Sequence, residues 1–130
     1  MRTCVLLVDD EIDAIELFRQ SFRREIRRGE LEIRFTTSGD QALELLAGRE
    51  AAERFLVLSD INMPGMTGLE LLREVKKRWP GLVVIMVSAY GDAENRRRAI
   101  EDGASDFVTK PVDFSHLKQT LGPYVAGDGI

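Results

Sequence analysis

The chain is poor in the residues that build stapled or membrane-embedded proteins. Among 130 residues there is one cysteine, Cys4. An intrachain disulfide is therefore impossible, and a cysteine-rich zinc site is excluded. Long apolar runs are missing. The longest is Leu82–Val87, six residues, against the ~18 that cross a bilayer. The N-terminal run Cys4–Val8 stops at Asp9, too short for a signal-peptide core, so a cytoplasmic location without membrane insertion is expected. Positive charge is not in excess. Lys plus Arg is 18 and Asp plus Glu is 22, a formal net charge of −4. That balance argues against direct nucleic-acid binding. There is no internal repeat, low-complexity segment or interdomain linker. The length fits one domain, and such a domain buries roughly two-thirds of its unfolded surface. We expect the domain over residues 1–125 and a frayed tail over 126–130.

Four apolar runs read as strands: Cys4–Val8, Phe55–Ser59, Leu82–Val87 and the weaker Asp106–Thr109. Three lack polar alternation, the pattern of strands covered on both faces. A fifth, Leu31–Thr36, alternates and suits an edge. Helical patterns lie between them. Ile12, Ile15, Phe18, Phe22 and Ile26 form one stripe, stopped by Gly29. Gly39–Ala47 opens with Ser38 and Gln41 at capping-box spacing, and Gly68–Trp79 repeats this with Thr67 and Glu70. A fourth helix runs from about Ala93 to Asp102, with Asp92 as N-cap, and a fifth from about Phe114 to Leu121. Strand and helix thus alternate five times. This implies an α/β, doubly wound, five-stranded parallel sheet with five helices.

The polar residues cluster where the strands end. Strand one runs into Asp9-Asp10-Glu11, strand three into Asp60, strand four into Ser88, and strand five into Lys110-Pro111. In a parallel sheet all of these share one rim. Ligands bind outside that rim where the strand order reverses, between strands one and three in the order 2-1-3-4-5. Asp9, Asp10 and Asp60 would meet there and repel one another. Lys110 is too little compensation. Hard oxygen ligands of this kind suit Mg²⁺. A carboxylate, a cation, a hydroxyl and an ammonium facing one cavity suit phosphoryl transfer. Asp60 would be the nucleophile, Lys110 would neutralise phosphoryl charge, and Ser88 would donate a hydrogen bond.

Four segments carry a resemblance: VLLVDDE at 5–11, LSDINMPGMTGLELL at 58–72, VIMVSAYGD at 84–92 and DFVTKPVD at 106–113. From about Thr3 to Tyr124 the chain resembles the receiver domain of two-component response regulators. The resemblance implies a flavodoxin-like fold and a phosphoacceptor module that takes its phosphoryl group from a sensor histidine kinase or phosphotransfer protein. It implies Asp60 as phosphoacceptor, Asp10 as direct Mg²⁺ ligand with Asp9 assisting, and the backbone carbonyl of Asn62 as a third protein ligand. Ser88 and Lys110 match the phosphate-binding hydroxyl and lysine. Ala89 matches a small residue that leaves the acceptor accessible. Pro111 matches a proline preceded by a cis peptide. Phe107 holds the switch-aromatic position, where a ring without a hydroxyl must work by packing. Tyr90 matches a variable position that tunes acyl-phosphate hydrolysis.

Taken singly, each of these has a plainer explanation. Asp9 or Asp10 could cap a helix, and Asp60 could serve a turn before Pro64 and Gly65. Their joint placement favours the functional set. Arg96, Arg97 and Arg98 read as a solvated face, with partner docking as a lesser alternative. His116 is the only histidine and carries no expected catalytic role. Cys4 reads as core, and Trp79 as a cover over the core. No output region is visible after Tyr124, so output is expected through an unidentified protein partner, or from a separate domain if the chain is a fragment of a larger regulator. A phosphohydrolase of the haloacid-dehalogenase type would use an acid two residues past the nucleophile, and Asn62 stands there. A nucleotide- or flavin-binding module would want glycines or hydroxyls after the first strand, where three acids stand. We therefore expect no enzyme beyond self-phosphorylation and self-dephosphorylation.

Overall fold

The computed structural model describes residues 3–50, 53–89 and 92–124. The expected tail at 126–130 and Tyr90 lie outside the described residues. The elements run β1 (Thr3–Val8), α1 (Ile12–Ser21), α2 (Arg23–Arg27), β2 (Leu31–Thr36), α3 (Gly39–Ala47), β3 (Arg54–Asp60), α4 (Gly68–Arg78), β4 (Val83–Ser88), α5 (Ala93–Glu101), β5 (Asp106–Thr109) and α6 (Phe114–Leu121). A short 3₁₀ turn follows at Gly122–Tyr124. The strands form one parallel sheet in the order β2-β1-β3-β4-β5. The alternating strand β2 does lie at an edge, as expected. The order reverses between β1 and β3, whose registers set Val8 beside Ser59.

Side chains alternate across the sheet, so each strand feeds two cores. Cys4, Leu6, Val8, Val57, Val84 and Met86 pack with α3, α4 and Ala99 of α5. Val5, Leu7, Leu58, Ile85 and Val87 pack with Ile15 and Phe18 of α1 and Leu117 of α6. Phe18, Phe22 and Phe114 form an aromatic cluster, with Phe114 edge-on to both other rings.

Six helices are present among the described residues, where five were expected. The first expected helix divides at Phe22, whose backbone departs from helical values at φ −103° and ψ 14°. This turn delivers the ring into the core, where it is fully buried. The stripe that marked this helix is also shorter than its spacing implied. Ile12 and Ile26 are exposed, and Ile26 stands on α2, past the break at Phe22.

Capping follows the sequence with two differences. Thr67 and Glu70 form a complete capping box. Ser38 accepts from the Gln41 N–H, but the Gln41 side chain receives the N–H of Thr37 rather than that of Ser38. Asp92 makes no cap to backbone; its carboxylate accepts instead from the Asn95 side chain at 2.7 Å.

Cys4 is buried in β1. Burial pushes its thiol up to about 11, with nearby Glu32 adding to the effect. The thiolate is the reactive form, so Cys4 is expected to resist iodoacetamide at pH 8 in the folded chain and to label promptly in denaturant. Intact-mass analysis checks this. Prompt labelling of the folded chain would show that β1 is not closed over as described.

Candidate functional site

Four of the five strand ends each supply one part of the site. Asp9 follows β1, Asp60 closes β3, Ser88 closes β4, and Lys110 follows β5. Asp9 and Asp60 are each only 5% exposed, whereas Asp10 is open to solvent. One carboxylate oxygen from each of Asp9, Asp10 and Asp60 lies within 4.8 Å of the others. The switch point therefore gathers the three acids that spacing placed there.

The two buried carboxylates are held differently. Asp9 Oδ1 accepts the Glu11 N–H at 2.9 Å. Asp60 Oδ1 accepts the Asn62 N–H at 3.2 Å, and Asp60 Oδ2 accepts from Lys110 Nζ at 2.8 Å. The Lys110 loop is anchored by its own N–H on the Ser88 carbonyl at 2.8 Å. The Lys110–Pro111 peptide is cis, as the resemblance implied.

Electrostatics show what the cluster needs. Burial raises the Asp9 carboxyl above its ordinary range, and the Asp60 charge adds to this against the Glu11 N–H. Burial pulls the Lys110 ammonium down, but its hydrogen bond to Asp60 and the charges of Asp60, Asp9 and Glu11 outweigh it and raise the group. Three carboxylates facing one ammonium leave a deficit of positive charge. A cation with a preference for oxygen ligands would meet that deficit, so Asp9, Asp10 and Asp60 form a group that could hold a metal ion.

Ser88 is fully buried, and its Oγ has no hydrogen-bond partner among the described residues. A buried hydroxyl normally finds a partner, so this one stands ready for a ligand atom. Ala89 is exposed beside it. A cleft of about 540 Å³ opens there, with Asp9, Asp60, Ala89 and Lys110 among its walls and Leu17 and Phe114 among its apolar ones.

The comparisons with known proteins agree with this geometry. The family model described as the response regulator receiver domain matches residues 5–122. The chain belongs to the response regulator receiver domain family. Such domains are regulatory phosphoacceptors of two-component signalling. The receiver is 34% identical over 127 residues to the hydrogenase transcriptional regulatory protein HoxA of Cupriavidus necator, covering 97% of this chain and 25% of that protein. It is 37% identical over 120 residues to the response regulator protein PilR of Pseudomonas aeruginosa, covering 92% of this chain and 25% of that protein. The chain thus spans about a quarter of the length of these relatives. Among solved structures, the receiver domain of NtrX from Brucella abortus superposes with a TM-score of 0.80 at 34% identity, covering 92% of this chain and 96% of that one.

Some contacts of the receiver were not foreseen. Asn62 serves Asp60 through its N–H, in addition to the backbone carbonyl expected to face a metal. Arg96 is half-buried, with its guanidinium carbon 3.8 Å from the centre of the Phe107 ring, so it is not part of a solvated face. No local signal marks that pair, since helix α5 and strand β5 meet only in the fold. Arg97 pairs with Glu94 and Glu101, and Arg98 with Glu94, at the exposed surface as expected. His116 is exposed, and Trp79 lies half-buried against the core. No helix among the described residues is long and apolar enough to cross a membrane.

Proposed function

We propose that Asp60 of this receiver accepts a phosphoryl group from the phosphohistidine of a sensor histidine kinase or phosphotransfer protein. One observation carries the assignment. Asp60 is the carboxylate held by Lys110 Nζ at 2.8 Å, at a strand end neighbouring the unpartnered Ser88 hydroxyl. In the transfer a carboxylate oxygen of Asp60 bonds to phosphorus. The phosphorus–nitrogen bond of the donor breaks, and its electron pair leaves with the imidazole. The product is an acyl phosphate. Lys110 balances charge on the phosphoryl oxygens, and Ser88 donates its hydroxyl hydrogen to one of them. Ala89 leaves the approach open.

The donor set suits Mg²⁺, which favours oxygen ligands and shares its sphere with phosphate. Asp10, Asp60 and the backbone carbonyl of Asn62 would hold it, with Asp9 assisting. When bound, it would neutralise charge on the phosphoryl group during transfer. Phe107 would respond to movement of Ser88 by repacking. Hydrolysis of the acyl phosphate returns Asp60, and no turnover of an external substrate is proposed. We read the location as cytoplasmic and the direct partners as proteins. The same chemistry serves a free-standing regulator or one segment of a longer one.

The test is incubation with acetyl phosphate, with and without Mg²⁺, followed by intact-mass spectrometry and a phosphate-release assay. One added phosphoryl group, dependent on Mg²⁺ and removed by hydroxylamine, is expected. Absence of both adduct and released phosphate would overturn the proposal. Lys110→Ala is expected to retain Mg²⁺ binding and to slow phosphorylation by about a hundredfold. An unchanged rate in that variant would remove Lys110 from the mechanism.

A further inference from the structure

Strand β2 ends the sheet, and no strand pairs with its outer side among the described residues. Natural edges are blunted by proline, bulges or lysine. β2 has none of these. Its six residues, LEIRFT, run in one-to-one register with β1. The ladder between the two strands settles which backbone groups point outward. The Glu30 carbonyl accepts the Thr3 N–H, and the Thr36 carbonyl accepts the Asp9 N–H. Partners recur at every second residue of a strand, so Glu32 and Arg34 also turn their backbone groups to β1. The N–H and C=O groups of Leu31, Ile33 and Phe35 therefore face away from the sheet. The Phe35 side chain is 40% exposed.

The side chains select one register for a second copy. Only outward-facing backbone can bond across the edge, so an antiparallel pairing about a two-fold axis must join odd-numbered positions. Its axis then passes through Glu32, Ile33 or Arg34. An axis at Glu32 sets the two Glu32 side chains against each other, and an axis at Arg34 does the same with arginine. Like charges directly opposite one another destabilise a sheet. An axis at Ile33 instead sets Glu32 of each copy against Arg34 of the other, and Leu31 against Phe35. Each pair then occurs twice, as an isologous interface requires. In that register Leu31, Ile33 and Phe35 all exchange backbone hydrogen bonds with the second copy.

We infer that the β2 edge is a self-association surface, and that its occupant is the β2 edge of a second copy, so that two five-stranded sheets join into one. A groove of about 250 Å³ lies beside Leu31, with Arg23, Ile26 and Ile33 among its walls. It shares no residue with the acceptor cleft. The chosen register brings the exposed Phe35 ring of the other copy to the Leu31 side of this groove. In the single chain Arg34 pairs with Glu32 at 3.3 Å and with Glu53 at 3.4 Å, and all three are partly exposed. Exposed pairs contribute little, so exchanging one Glu32 for the other costs little, while Arg34 keeps Glu53. A six-residue edge buries less than the ~1,200 Å² of specific complexes, so dissociation is expected near about 100 µM.

Sedimentation velocity on the full chain, without a phosphodonor, tests this from about 5 to 500 µM at low salt. The weight-average mass is expected to climb from 14.6 kDa toward twice that value. Glu32→Arg sets arginine against arginine across the axis, and Arg34→Glu sets glutamate against glutamate. Each variant alone is expected to associate about tenfold more weakly than the parent, or worse. An equimolar mixture of the two restores both opposite-charge pairs, and is expected to associate to within about threefold of the parent. A folding defect in either variant would not be cured by mixing. Ile33→Pro removes only an outward N–H, so the ladder to β1 is kept while association is lost. Circular dichroism confirms that each variant is folded. Three results would overturn the inference: a monomer at every concentration, which would leave the edge unpaired in solution; no loss in either charge variant; or a mixture that associates no better than its components.

Discussion

Replacing Asp60 with alanine is expected to reduce phosphorylation by acetyl phosphate to background, while the chain stays folded. The two nearby acids cannot substitute. Asp9 is buried and its Oδ1 is engaged by the Glu11 N–H. Asp10 faces solvent and forms no ion pair among the described residues. Asp60 alone has both oxygens engaged, one by Lys110 Nζ and one by the Asn62 N–H. Those donors localise negative charge where a phosphoryl group must arrive. The fold should tolerate the change. Lys110 keeps solvent access, with 37% of its side chain exposed, so its charge is not stranded. Burial is the main reason that Asp9 is raised, and removing Asp60 takes away the charge that adds to it. The melting temperature is therefore expected to stay within a few degrees or to rise. Intact-mass spectrometry and a thermal melt on the same sample read both effects. A variant that still takes up one phosphoryl group at the normal rate would place the acceptor elsewhere.

Gly68→Ala is expected to destabilise the chain by about 3 kcal/mol or more, although only a methyl group is added. Gly68 is the first residue of α4, and its N–H donates to the Ile61 carbonyl at 2.8 Å. The helix thereby starts directly against the end of β3. A Cβ at this position would overlap the Asp60 carbonyl oxygen and lie 2.7 Å from Ile61 Cα. Both obstacles are backbone, so no side chain can swing aside. Either α4 moves outward or the β3 end moves, and the β3 end carries the acceptor. The melting temperature should fall by about 10 °C or more. Gly81→Ala is the matched control, since an added Cβ there meets nothing within 4 Å. Its effect should stay within about 0.5 kcal/mol. Calorimetry on the pair distinguishes the two cases. A Gly68→Ala variant that melts with the parent would mean that α4 does not approach β3 as closely as described.

Much of this fold was readable along the chain. Uninterrupted runs such as Leu82–Val87 mark strands buried on both faces, and LEIRFT at 31–36 marks an edge, because burial dictates alternation locally. The capping box at Thr67 and Glu70 was equally local, since both partners lie within one turn. Errors arose where local pattern met global shape. Ile12 and Ile26 continue an apolar stripe in sequence, yet both are exposed, and the helix that was to carry them divides at Phe22. Arg96 looked like one of three equal surface charges until β5 brought Phe107 beneath it.

The candidate site divides in the same way. The order of polar residues after apolar runs determined, without any coordinates, that Asp9, Asp10, Asp60, Ser88 and Lys110 share one rim. Parallel strands have all their carboxyl ends on one side, so this follows from topology alone. The sequence could not assign the individual pairings. That Lys110 grips Asp60, fifty positions earlier in the chain, is a matter of tertiary distance. So is the burial that leaves the Ser88 hydroxyl without a partner among the described residues and raises Asp9. Desolvation and hydrogen-bond geometry depend on what surrounds a group in space, and only the packed chain brings those surroundings together.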